Sequence, residues 1–130
     1  MKKRINYSSG AVWKDKIGYS RAVRVGDLIE ISGTTSVEGD KVIGAGDPYK
    51  QTKVIIEKFS SILKEAGGSL SDIVRVRIYV VNIDHWEEIS KAYSEYFHII
   101  KPAATMVEVG SLIAPDLLVE MEATAILNTK

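Results

Sequence analysis

The sequence predicts an α+β domain of two layers: a mixed six-strand sheet with two helices on one face, in β-β-α-β-α-β-β order. Three observations predict it. Residues Ile73 to Val81 alternate, with Val74, Val76, Ile78 and Val80 on one face and Arg75, Arg77 and Tyr79 on the other, the period-2 pattern of a half-buried strand. Ile55, Phe59, Ile62, Leu63 and Ala66 recur at spacings of four, three, one and three, which sets them on one side of a helix. Near the C-terminus, Leu118, Glu120, Glu122 and Thr124 alternate with apolar residues, a second half-buried strand. Helices that interrupt the strands in this order fit packing on one face of the sheet.

The elements follow in order. Tyr19 to Val25 alternates, with Tyr19, Arg21, Val23 and Val25 on one side, and Gly26-Asp27 turns it into a strand from Leu28 to Ser32, a β-hairpin. Val37 to Pro48, with Gly39, Gly44 and Gly46, is the loop-rich region. Asp47 before Pro48 starts the first helix, because the aspartate accepts from free N–H groups and proline lacks a donor that would be orphaned. Gly67-Gly68 ends it. After the strand from Ile73, Asp84 with Glu87 three residues on reads as a variant capping box. It opens a second helix with Trp86, Ile89, Tyr93 and Phe97 inward. Two strands, within Pro102–Val109 and Leu118–Ala125, complete the order. The sheet face away from the helices then carries arginines and glutamates together, a mixture suited to a subunit interface.

Composition narrows the function classes. A chain of 130 residues, 45% hydrophobic, fits one domain over residues 1–130 with a modest core. Lys+Arg and Asp+Glu both count 17, so no net positive field recruits a phosphate backbone and nucleic acid is not expected as a partner. Zero Cys leaves no disulfide framework, thiolate nucleophile or thiolate metal site. His85 and His98 stand thirteen positions apart with no ligand pattern around them, so neither a metal nor a cofactor is expected. The basic opening from Met1 to Tyr7 has no apolar run behind it and no stretch reaches membrane-spanning length, so a soluble cytoplasmic protein is expected.

Pro102-Ala103-Ala104-Thr105-Met106-Val107-Glu108-Val109, followed by Leu118-Val119-Glu120-Met121-Glu122-Ala123-Thr124-Ala125, resembles the C-terminal signature of the Rid family. These are the reactive intermediate deaminases, also called YjgF-like proteins, in which Pro-Ala-Arg-Ser/Thr-x-Val-Glu-Val precedes a Val/Ile-Glu-x-Glu-Ala strand. The resemblance runs through most of the chain. Gly18-Tyr19-Ser20-Arg21-Ala22-Val23-Arg24-Val25-Gly26-Asp27-Leu28 is similar to the family's Gly-Pro-Tyr-Ser-x-Ala-Val-x-x-Gly-x-Leu, and Ser32-Gly33-Thr34 stands where Ser-Gly-Gln is common. Ala66 to Val74 is similar to its helix-to-strand turn, and Tyr93 to Phe97 to its second helix. There are two departures: Gly18 replaces a proline, and Ala104 replaces the arginine.

The resemblance implies a chorismate mutase-like fold and a homotrimer with three clefts between subunits, each taking a small-molecule ligand. In arginine-bearing relatives, the arginine grips the carboxylate of a 2-imino acid while water attacks the imine carbon, oriented by the glutamate that Glu120 matches. Glu120 is therefore the catalytic candidate, and Tyr19, Ser32, Gly33, Ala104 and Thr105 are the substrate-binding ones. A buried guanidinium–carboxylate pair contributes roughly 2 to 4 kcal/mol, so Ala104 makes efficient deamination of amino-acid-derived imines unexpected. Arg21 joins the binding set on strand alternation, because it shares a face with Tyr19 and offers a displaced guanidinium.

Each residue also has a plainer reading: Glu120 as ion-pair partner of Arg75 or Arg77, Tyr19 as hairpin packing, Ser32-Gly33-Thr34 as a strand-end turn, Arg21 as an interface salt bridge, Glu108 as a structural tie. The leading expectation is a trimer that binds a small carboxylate or carbonyl metabolite with weak or no imine deamination. An imine or enamine hydrolase of altered substrate is the first alternative, and a regulatory, translation-inhibitor-like or ribonuclease module the second.

Overall fold

A computed structural model describes residues 3–8 and 17–129; Met1 and Lys2 of the basic opening lie outside them. The main sheet has six strands: β1 (Arg4–Tyr7), β2 (Ala22–Val25), β3 (Leu28–Thr34), β6 (Ile73–Val80), β7 (Ala103–Glu108) and β8 (Val119–Ile126), in spatial order β1-β2-β3-β8-β6-β7. All neighbours are antiparallel except β6 and β7, so the sheet is mixed as expected. A two-strand ribbon, β4 (Val37–Glu38) with β5 (Lys41–Val42), occupies the glycine-rich loop region. Helices α1 (Pro48–Glu65) and α2 (Trp86–Phe97) cover one face.

The sixth strand is β1, which the alternation did not single out. Four residues with one partly buried side chain carry no period-2 signal, and pairing with β2 alone defines the strand.

The core lies between the helices and alternate residues of β8, β6 and β3. Val119, Met121, Ala123 and Ala125 are buried, as are Ile29 and Ile31. Asp47 caps α1 by accepting from the Lys50 N–H at 3.0 Å. At its far end the Gly68 N–H donates to Leu63 O and the Gly67 N–H to Lys64 O, with Gly67 at φ +94°, the left-handed stop that glycine permits. The Arg24 guanidinium closes the same end by donating to Ala66 O at 2.6 Å, a cation on the carbonyl end of the helix.

Three local expectations are corrected. Val74 does not face the core: the register against β8 shifts between Ile73 and Arg75, so Val74 is an extra bulged residue, 39% exposed, and Ile73 takes the core position at 2%. A bulge inserts one residue and reverses the alternation before it. The second helix is not capped by Asp84: Asn82 accepts from the Asp84 N–H at 2.9 Å and starts a short 3₁₀ turn, Ile83–His85, ahead of α2. Glu108 accepts from the Ile83 N–H at 2.9 Å, the structural tie foreseen for it. That extra turn moves Trp86 to the helix start, where it is 51% exposed, while Ile89, Ala92 and Phe97 face inward.

One buried polar residue holds the loops to the core. Gln51, fully buried in α1, donates to Gly44 O at 3.1 Å and Asp116 O at 3.0 Å and accepts from the Leu118 N–H at 2.9 Å. It thus fixes the chain two residues before Glu120. Gln51→Leu keeps the volume but strands three backbone groups. It should lower the unfolding free energy by about 2–4 kcal/mol, read as a lower urea midpoint at unchanged slope.

Candidate functional site

The register of β3 against β8 shifts between Ile31 and Thr34, so three steps on β3 match two on β8: Ile31 faces Ala123 and Thr34 faces Met121. This bulge turns Thr34 into the interior, at 3% exposure, and brings the Gly33 backbone against the Glu120 side chain. A Cβ at Gly33 would overlap Glu120 Oε2. Glycine is needed there for close approach, not for backbone angle.

Arg21 reaches the same place from the strand alongside. Its N–H donates to Tyr7 O at 2.7 Å and its carbonyl accepts from the Ser32 N–H at 3.1 Å, so the backbone is held from both sides. Its Nη1 donates to Thr34 Oγ1 at 2.9 Å, and that hydroxyl donates to Ser32 O at 2.8 Å. Tyr19, Arg21, Gly33, Thr34 and Glu120 all line a cavity of about 970 Å³. Its far wall is a stripe of α1: Val54, Glu57, Lys58, Ser61, Ile62 and Glu65, at spacings of three and one. Ile113, from the loop before β8, stands at the mouth, 81% exposed.

Electrostatics couple three of these groups. Burial, and then the neighbouring Glu122, push the Glu120 carboxyl above its ordinary range. Partial burial and then Glu120 raise the Tyr19 phenol, with Arg21 opposing. Burial pulls the Arg21 pKa down while Tyr19 pulls it up. A half-buried carboxyl with raised pKa can give or take a proton nearer neutrality than a free one, and a guanidinium in the same cavity can hold an anion.

The seven candidates divide. Tyr19, Arg21, Gly33 and Glu120 share the cavity. Ser32 does not line it; its hydroxyl donates to Ser20 O at 2.6 Å, tying the approach to β2 onto β3. Ala104 and Thr105 lie on β7, beside a separate cavity of about 230 Å³ with Ser90, Tyr93 and Met106. Glu120 aligns with Tyr79 and Ala104 with Val76, so two strand spacings and three residues separate them, roughly 14 Å from standard sheet dimensions. They also project from opposite faces. Glu120 does not pair with Arg75 or Arg77: Arg77 meets Glu122 at 3.6 Å, Tyr79 Oη donates to Glu122 at 2.7 Å, and Arg75 donates to Thr105 Oγ1 at 2.6 Å.

The Thr34 side-chain contact with Arg21 and the α1 stripe were not anticipated. The stripe follows helical spacing, but a polar face with that spacing also fits a solvated surface, and only the β3–β4 crossing above it makes a wall. Lys58 Nζ pins that crossing by donating to Thr35 O at 2.7 Å and Val37 O at 2.6 Å. Among the described residues no group of three or more His, Asp or Glu converges to hold a metal ion, and no helix is long and apolar enough to cross a membrane.

Residues 13–127 match the family described as Endoribonuclease L-PSP. A RutC family protein of Pyrococcus abyssi is 42% identical over 108 residues, 82% of this chain and 84% of that protein. The chain belongs to the Rid/YjgF-like family. Another relative in it, named 3-aminoacrylate deaminase RutC, from Acinetobacter baylyi, is 33% identical over 108 residues, 82% of this chain and 85% of its own. The solved structure of Rv2704, a YjgF/YER057c/UK114 family member of Mycobacterium tuberculosis, superposes with a TM-score of 0.84 at 42% identity. The match covers 96% of this chain and 100% of that one. The Rid fold, a chorismate mutase-like α+β domain, is thus the fold seen here.

The raised Glu120 pKa has a measurable sign. A carboxyl whose folded pKa exceeds its unfolded value, about 4.3, contributes fully below that value and loses the contribution as pH rises through the folded pKa. Glu120→Gln should therefore gain stability relative to wild type as the pH rises from about 4, read from urea midpoints at successive pH values. A variant that loses stability as the pH rises would mean that Glu120 is held by a cation instead.

Proposed function

We propose that the chain is a Rid-type homotrimer that binds a small carboxylate or carbonyl metabolite in clefts between subunits, with weak or no turnover of 2-imino acids. The observation that carries this reading is the seating of Glu120. Its carboxyl is half-buried, set against a glycine that leaves it room, and shares its cavity with Tyr19 and Arg21. A surface glutamate needs none of this.

The separation of Ala104 and Thr105 from Glu120 supports an assembled site. Within one chain Ala104 projects from the opposite face to Glu120, and both it and Thr105 lie two strands away, so a cleft containing Glu120 and Ala104 takes a second copy. The sheet face away from the helices offers the surface for it. That face carries the Arg77–Glu122 pair and the exposed apolar residues Leu28 and Ile126, directly opposite each other in register. In the assembled cleft Tyr19 forms a wall and Gly33 presents backbone near the ligand. Ser32 acts through its tie to Ser20, and Ala104 with Thr105 forms the floor contributed by the second subunit.

Glu120 orients water in this reading. Position 104 supplies no guanidinium to grip a carboxylate there, so the family's arginine-dependent deamination loses its clamp. A second reading, an imine or enamine hydrolase with altered substrate, is favoured by the raised Glu120 pKa, which suits general acid–base work, and by the relative named as a 3-aminoacrylate deaminase. A nucleolytic or regulatory role draws on the family description, but 17 basic against 17 acidic residues give no field for RNA.

Two measurements test the proposal. Sedimentation equilibrium at micromolar concentration should give three chains per particle; a stable monomer would leave the cleft unbuilt. A coupled assay scoring suppression of semicarbazone formation from 2-aminoacrylate should show turnover at least about 30-fold below an arginine-bearing relative. Comparable turnover would establish the hydrolase reading.

A further inference from the structure

Arg21 differs from the other arginine of its hairpin. Arg24 donates to Gly26 O at 2.8 Å and to Ala66 O at 2.6 Å, two carbonyls that account for its position. Arg21 is half-buried against the cavity and its hydrogen-bond partner is one hydroxyl, Thr34 Oγ1. The ion pairs among the described residues are Lys53–Glu95 and Arg77–Glu122, so no carboxylate there is paired with Arg21. A guanidinium has five N–H donors and keeps its charge. Withdrawing it from water with one acceptor is unfavourable unless an anion completes the set.

Thr34 is what aims it. The bulge in β3 turns the Thr34 hydroxyl inward, where it donates to Ser32 O and accepts from Arg21. One edge of the guanidinium is therefore anchored and the rest is left to the cavity. The remaining charged lining is acidic: Glu38, Glu57, Glu65 and Glu120 against Arg21 and Lys58, four carboxylates to two cations. Lys58 already spends hydrogen bonds on two backbone carbonyls.

We propose that Arg21, aimed by Thr34, is a carboxylate clamp supplied by the same chain as Glu120, and that the cavity selects monocarboxylates over dicarboxylates. The inference rests on the reading that this cavity binds a small molecule. One carboxylate pairs with Arg21, and the carbonyl or imine carbon beside it faces Glu120. A second carboxylate on the ligand would meet the acidic lining, where like charges repel. The clamp thus moves from the β7 strand to the β2 hairpin, and the ligand's charged end is held without a residue from a second subunit.

The test uses the intact protein, pyruvate as monocarboxylate, 2-oxoglutarate as dicarboxylate and hydroxyacetone as an uncharged analogue, with affinities from calorimetric titration. Wild type should bind pyruvate at least about tenfold tighter than 2-oxoglutarate. Arg21→Gln should weaken pyruvate about 30-fold or more and leave hydroxyacetone within about twofold. Thr34→Val, which keeps the charge and removes its anchor, should weaken pyruvate by about three- to tenfold and provides the reading if Arg21→Gln fails to fold. Equal pyruvate affinity in wild type and these variants overturns the clamp while the cavity still binds. Equal affinity for the two acids overturns the selectivity. If neither pyruvate nor hydroxyacetone binds wild type, the small-molecule reading of the cavity itself fails.

Discussion

Strand β8 is hydrogen-bonded on both sides, to β3 and to β6, and the rest of the molecule is arranged around that constraint. A strand paired along both edges cannot slip by one residue without sending its whole apolar set to the wrong face. Val119, Met121, Ala123 and Ala125 are therefore committed to the helices, and Glu120, Glu122 and Thr124 to the other face. The fixed alternation delivers a carboxylate to the sheet surface whatever its neighbours are. Gln51 then sets where the strand begins, because its amide takes the Leu118 N–H and the Asp116 carbonyl.

Two bulges on the strands flanking β8 do opposite work. The one at Val74 lets Ile73 and Val76 both enter the core, so the strand stays apolar where it leaves the 3₁₀ turn. The one between Ile31 and Thr34 removes bulk beside Glu120 and rotates a hydroxyl toward Arg21. Bulges re-aim side chains without breaking the sheet. At the second bulge the re-aimed residues are those around the cavity.

The charges on the sheet face and in the cavity are handled differently. On the open face, arginine meets glutamate, tyrosine meets glutamate and arginine meets threonine across strands, a set of cross-strand pairs of modest individual worth. In the cavity, Glu120 and Arg21 are each partly withdrawn from water and neither is joined to an opposite charge among the described residues. Perturbed groups in a cleft are what mark a candidate functional site.

The two-layer architecture, both helices and the alternation of β6 and β8 were legible in the residue order, because these depend on local periodicity repeated over many residues. The residue order also displayed the family, through motifs spread from Gly18 to Ala125, and the substitution at Ala104. That Val74 is a bulge, that Asn82 rather than Asp84 starts the second helical segment, and that Arg4–Tyr7 is the sixth strand came from the folded chain alone. Each depends on pairing with a strand or turn elsewhere, which no local window contains. The same holds for the site. Tyr19 and Arg21 were legible as neighbours because they lie two residues apart, and Glu120 through its motif. That Gly33 makes room for Glu120, that Thr34 holds Arg21, and that Ala104 lies across the sheet from both follow from register. Register is settled by how the strands meet and by nothing in the order of residues along one of them.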